Sequence, residues 1–273
     1  MKNPLAYHRA VENEQHVFLL CIKPRSSSTA FQRIINSSNT VWIWGEPRGL
    51  INQIANLSQQ IKNVGDNEAT KLSISQLYHS YNDNKHMLFY PNAIGNSDTT
   101  VELVNSAISN LLKPWAPKLK RFGFKDVEQV YPHTLEFLKA TYPRSYFMFC
   151  FRDPLKQWPS VCKLFLENNI TEKNLEVFLN QYYWMAKGYI DFSKKNNIIS
   201  FIENEDLKNV NSVNKIINYL NIPMIDLSLI NDNVGSLHGD ELENGEEEII
   251  LKSDAYKIYN EMKSISKSFY EFK

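Results

Sequence analysis

The sequence predicts an α/β fold, a mostly parallel five-stranded sheet flanked by helices, and three observations carry that expectation. Val17-Phe18-Leu19-Leu20-Cys21-Ile22 is an apolar run without polar alternation, as suits a central parallel strand covered on both faces. Residues 145–151, through Phe147, Met148, Phe149, Cys150 and Phe151, repeat the pattern. Each run ends abruptly in a proline-containing turn and then takes up helical spacing, with Phe31, Ile34 and Ile35 after the first and Leu155, Trp158, Val161, Cys162 and Phe165 after the second.

The remaining elements follow in order. Residues 40–44, β-branched and aromatic, read as a second strand ended by Gly45. Residues 50–112 are the least patterned, with helical patches at 50–61 and 101–112 around a polar middle, and predict a helical insertion at about 50–117 that covers the site. Residues 119–124 suggest a third strand delivering Lys125 and Asp126 to the same rim. A helix over 132–142 covers the sheet through Leu135, Leu138 and Tyr142. After the fourth strand come an aromatic-rich helix over 175–193, a fifth strand over 197–202 and a helix carrying Leu207, Val210, Val213, Ile216, Ile217 and Leu220. Residues 235–250, with Asp240, Glu241, Glu243, Glu246, Glu247 and Glu248, read as an acidic mobile loop, and 254–272 as a final helix. The whole, 1–273, is expected to be a single domain.

Composition narrows the function. Thirty Lys and Arg balance thirty Asp and Glu in 273 residues, so no global positive field draws nucleic acid. The first apolar run is too short to span a membrane, and no signal peptide is read. Three cysteines, an odd count without metal-ligand spacing, suit a reducing, cytoplasmic compartment. No metal is expected, and oligomeric state is not legible.

The chemistry gathers at strand ends. A strand feeding a helix through Lys23-Pro24-Arg25-Ser26-Ser27-Ser28-Thr29-Ala30 aims unpaired N–H groups at one point, with the helix dipole behind them, and predicts an anion there. The turn has no glycine and no Gly-Lys-Ser/Thr end, so it is not the ATP-binding Walker loop. Glu46 and Arg48, two residues apart after the second strand, sit where open α/β sheets bind ligands. Arg152, followed by Asp153-Pro154, ends the other apolar strand in a cation and a turn.

Two of these stretches, in this order, resemble the sulfotransferase family. Pro24-Arg25-Ser26-Ser27-Ser28-Thr29 is similar to the loop that grips the 5'-phosphosulfate of 3'-phosphoadenosine-5'-phosphosulfate (PAPS), with Ser27 where the family usually has glycine. Arg152, Asp153, Pro154 and Ser160 resemble the family's 3'-phosphate pattern. Glu46-Pro47-Arg48 and Lys125-Asp126-Val127 resemble the tyrosylprotein and bacterial branch, Val127 replacing a proline. Residues 203–207 look like a segment whose tyrosine, here Asn204, lies near the nucleotide.

The resemblance implies a P-loop-like sulfotransferase fold with PAPS as co-substrate and 3',5'-ADP (PAP) as product. It implies Glu46 as general base, with Lys125 and Arg25 stabilising the transferring group. Ser26, Ser27, Ser28, Thr29, Ala30, Arg152 and Ser160 would bind the donor, Lys252 would reach the 3'-phosphate by its order in the chain, and Glu46 and Arg48 would meet the acceptor. His79 and His86 are the reserve bases. The implied partner is a small-molecule acceptor, a secondary metabolite that the acidic loop would favour if cationic or neutral. A small-molecule phosphotransferase and a non-catalytic nucleotide-binding protein are the alternatives.

Overall fold

The computed structural model describes residues 15–47, 49–65, 119, 121–127, 130–167, 174–230 and 242–271. Its centre is a strand with no polar side chain, β1 (Val17–Cys21), fully buried along its length. Phe18 and Leu20 enter one core layer and Val17, Leu19 and Cys21 the other, which is why this stretch shows no alternation. β1 pairs in parallel with β3 (Arg121–Asp126) on one side and β4 (Tyr146–Phe151) on the other. β2 (Val41–Trp44) lies outside β3 and β5 (Phe201–Glu203) outside β4, giving a five-stranded, wholly parallel sheet in the order β2-β3-β1-β4-β5.

This order fixes where a ligand can sit. From β1 the chain runs through α1 (Ser28–Asn36) to the far strand β2, returns to fill the gap with β3, then crosses β1 to build β4. The connections leaving the neighbours β1 and β4 therefore diverge, toward β2 and toward β5, and a crevice opens at the C-terminal ends of these central strands.

Helices close both faces. α1 and α6 (Val210–Tyr219) cover the layer of Val17, Leu19 and Met148 through Phe31, Ile34, Ile35, Val213 and Ile216. The opposite layer is covered by α2 (Leu50–Gly65), α3 (Pro132–Thr141), α4 (Pro154–Glu167), α5 (Leu175–Asn196) and α7 (Glu246–Lys252). α8 (Asp254–Glu271) begins on that layer at Ala255 and Ile258 and reaches the other at Phe269, passing the edge strand β5 on its way. Among the described residues no helix is long and apolar enough to cross a membrane.

β3 runs to Asp126 and so contains Lys125 and Asp126, expected just beyond it, and three further boundaries differ from the sequence reading for local reasons. β5 starts at Phe201, not 197, because α5 runs on to Asn196 and is stopped by Asn197 in a left-handed conformation (φ 53°) that asparagine tolerates. The helix after β5 is divided: a capping box between Glu203 and Asp206 winds Asn204–Lys208 into a 3-10 turn before α6 begins. Part of the expected acidic loop is α7, whose first turn places Glu246, Glu247 and Glu248 at the positive end of a helix dipole. Residues 101–112 lie outside the described residues.

β3 contains one position without room for any side chain. A Cβ at Gly123 would stand 1.6 Å from the Val17 carbonyl oxygen and 2.8 Å from Ile43 Cδ1. Gly123→Ala is therefore expected to separate β1 from β3 and to cost more than the ~1–3 kcal/mol usual for overpacking. Gly188→Ala, in α5 with its nearest neighbour 3.9 Å away, should instead stabilise the chain by ~0.4–1 kcal/mol. Urea unfolding of the two variants checks both signs.

Candidate functional site

The turn after β1 alternates in hand. Lys23, Arg25 and Ser27 have φ of 63°, 70° and 63°, with Pro24 and Ser26 between them on the negative side. Such alternation turns successive peptide N–H groups toward one concavity, the arrangement by which backbone binds anions. Ser27, where the resembled family has glycine, adopts the left-handed conformation all the same. Its hydroxyl donates to Oδ1 of the buried Asn204, so the residue replacing the expected tyrosine holds the residue replacing the expected glycine.

The back of the turn is bound to the start of α4. Gln157, fully buried, donates from Nε2 to the carbonyls of Pro24 (2.7 Å), Ile22 (2.8 Å) and Lys23 (3.4 Å). Arg152 Nη1 donates to the Arg25 carbonyl at 3.2 Å, and Arg25 Nε donates to Ser160 Oγ at 2.9 Å. Arg152 is itself positioned from behind, its carbonyl accepting the Tyr182 hydroxyl at 2.9 Å. Asp153 caps α4 by accepting the Leu155 N–H. Arg25, Arg152 and Ser160 are thus brought together at the C-terminal ends of β1 and β4.

The polar groups gathered here are incompletely used. Among the described residues Ser26 Oγ, Arg152 Nε and Gln157 Oε1, all buried, have no hydrogen-bond partner, a condition that folded proteins rarely leave without a reason. Burial pushes the Arg152 guanidinium below the usual arginine range, with Glu205 pulling the other way and Arg25 adding to the depression. A cation held at such cost is well placed to receive an anion.

A second cluster sits at the ends of β2 and β3. Lys125, nearly buried, reaches Glu46 Oε1 at 2.8 Å and Thr29 Oγ1 at 3.2 Å. Glu46 is over a third exposed, so one carboxylate oxygen faces the lysine while the group stays open to solvent. Thr29 lies in the first turn of α1, four residues beyond Arg25, and the same turn therefore joins the two clusters. Ser28 is buried and Ala30 half-buried at the start of α1. Val127, where the resembled motif has proline, packs into the core beneath α1.

The acidic side holds Lys252 and one carboxylate whose setting corrects an expectation. Lys252 stands exposed on α7, ion-paired to Glu248, and no hydrogen bond or ion pair described joins it to Arg25 or Arg152. Glu246 is not a freely solvated charge: Oε1 accepts the Trp158 indole N–H at 2.7 Å and Oε2 accepts the Glu243 N–H at 2.9 Å. α7 is thereby fastened to the helix that carries Gln157 and Ser160. Arg48, Asp240, Glu241 and both reserve bases, His79 and His86, lie outside the described residues.

Gln157 was not singled out by the sequence. The available signal was its place three residues before Ser160, which puts both on one face of a helix.

No family model and no curated protein sequence matches the chain. Two solved structures are similar to it in fold. One is a sulfotransferase domain from the curacin biosynthetic pathway, at 14% identity and a TM-score of 0.49, covering 94% of this chain and 97% of that one. The other is a sulfotransferase domain from the Synechococcus PCC 7002 olefin synthase, at 12% identity and a TM-score of 0.48, covering 96% of each.

Glu246→Ala keeps the buried Trp158 indole and removes the carboxylate that accepts its N–H and that of Glu243. It should cost ~1 kcal/mol and raise amide hydrogen exchange in residues 243–252 while exchange in β1 and β4 stays unchanged.

Proposed function

We propose that this chain is a sulfotransferase that transfers the sulfuryl group of PAPS to a hydroxyl or amine of a small-molecule acceptor and releases 3',5'-ADP. The observation carrying this reading is the pair of bonds from Arg152 to the Arg25 carbonyl and from Arg25 to Ser160. They close the turn after β1 onto the strand-helix junction after β4, so that two anion-binding devices face one crevice. A nucleotide with phosphates at both ends of its ribose needs such a pair of cradles.

The residues present fit that donor. The turn N–H groups, Arg25, Ser26 Oγ and Thr29 suit the 5' end, and Arg152 Nε with Ser160 suits the 3'-phosphate. When bound, the donor supplies an activated sulfuryl group. Glu46 takes the proton from the acceptor atom as it becomes nucleophilic. Lys125, already placed between Glu46 and Thr29, carries positive charge to the side where negative charge develops, and Arg25 and the turn dipoles add to it. Arg48 would orient Glu46 or the acceptor. Glu46 and the exposed Glu247 favour a cationic or neutral acceptor over an anionic one. Cys21, Cys150 and Cys162 are buried and outside any disulfide, as suits a reducing compartment such as the cytoplasm.

Glu46→Ala is expected to lower kcat about a hundredfold or more while 3',5'-ADP affinity is retained, measured by product formation and by titration calorimetry. Normal turnover would place the base elsewhere. Arg152→Ala should weaken 3',5'-ADP binding by about 2 kcal/mol or more, because a phosphate loses its charge-assisted partner. A thermal-shift comparison of 3',5'-ADP with ATP and GTP tests the donor class, and stabilisation by ATP alone would turn the assignment toward phosphoryl transfer.

A further inference from the structure

We infer that Gln157 is the positioning residue of the 5'-phosphate cradle, setting the direction in which the turn after β1 presents its N–H groups. The inference takes the identity of the anion from the donor reading above, while its geometry stands independently.

A peptide unit is planar and trans, so a carbonyl pinned to one side sends the N–H of the next residue to the other. Gln157 pins the carbonyls of Ile22 and Pro24 against α4, which turns the N–H groups of Lys23 and Arg25 away from that helix. Arg152 does the same to the Arg25 carbonyl and so turns the Ser26 N–H. Two side chains of one strand-helix junction thereby orient three consecutive N–H-bearing residues of another.

This chain needs such a device. In an anion-binding turn with glycines, alternation of hand is sterically free. Here every left-handed position carries a Cβ, and the conformation requires partners to hold it. Three carbonyl oxygens around one amide nitrogen also fix which end of the Gln157 amide faces the turn, since its own oxygen would be repelled there. Oε1 is accordingly left buried without a partner among the described residues, the mark of an amide oriented for the turn rather than for its own satisfaction.

The test is calorimetric titration of wild type, Gln157→Met and Gln157→Glu with 3',5'-ADP, 5'-AMP and 3'-AMP. Met keeps the length and loses the donors, and Glu keeps the shape and sets a carboxylate against carbonyls. Both should weaken 3',5'-ADP and 5'-AMP by about tenfold or more and leave 3'-AMP, which engages Arg152 and Ser160, within about twofold. Unchanged affinity, or equal loss for all three nucleotides, overturns the proposal, the latter by showing a general structural role. Should one variant fail to fold, the other is read by the same ratio. If wild type binds none of the nucleotides, the donor reading fails, and inorganic pyrophosphate then decides for Gln157 alone. Weaker pyrophosphate binding by the variants sustains the proposal, and equal binding, or none by wild type, overturns it.

Discussion

A buried peptide must find partners for its carbonyls, and the organisation of this protein's C-terminal sheet edge follows from that requirement at residues 22–25. β1 is covered on both faces, so the chain leaving it cannot turn to water at once. The donors come from the junction of β4 and α4. Gln157 and Arg152 satisfy the turn, and in doing so they bring Arg25, Arg152 and Ser160 together. The binding geometry is thus a by-product of satisfying backbone, and a change that released the carbonyls would disperse these side chains before it altered any charge.

The Glu46–Lys125 pair obeys a different economy. A half-exposed ion pair contributes at most about 1 kcal/mol to stability, too little to account for a lysine nearly buried at the end of β3. Its placement makes sense as chemistry: the cation sits between a carboxylate open to solvent and a hydroxyl at the head of α1. Deeper in the fold, buried polar groups serve stability instead. Tyr259 donates to Glu203 at 2.7 Å, and Asp206 accepts the Glu203 N–H, which fastens α8 and the 3-10 turn to the edge strand. Burial raises the carboxyl of Asp206 and the hydroxyl of Tyr259 above their ordinary ranges, as expected of groups held in place rather than used.

Much of this was legible in the chain. β1 and β4 announce themselves because strands buried on both faces must be apolar throughout, and the cations that end them stand out against that background. Arg25, Arg152 and Ser160 were found by the pattern they share with sulfotransferases, and Glu46 and Lys125 by their place at strand ends. Gln157 was invisible because a glutamine on a helix reads as a solvated polar residue; its burial depends on a turn 133 residues earlier in the chain. Lys252, assigned by its order in the chain alone, stands on α7 paired to Glu248. The acidic stretch misled because a run of glutamates flanked by glycine reads as loop, whereas Gly245, left-handed at φ 88°, opens a helix there and Trp158 takes up one of the charges. β5 was set too early because nothing in Asn197 distinguishes an asparagine that ends a helix from one that begins a strand.

The absence of glycine from the turn at 23–27 bears on how the protein meets its ligand. A flexible turn samples many shapes and must be ordered afresh at each encounter, so part of every association is lost to stiffening the receptor. Here the side chains disfavour the left-handed conformations, and Gln157, Arg152 and Asn204 hold them, so the ordering is completed once, when the chain folds. Such a receptor behaves as a mould rather than a glove. Selectivity among anions should then follow size and charge spacing closely, and departure of the spent ligand should be timed by rotamers and neighbouring segments, not by a flip of the main chain.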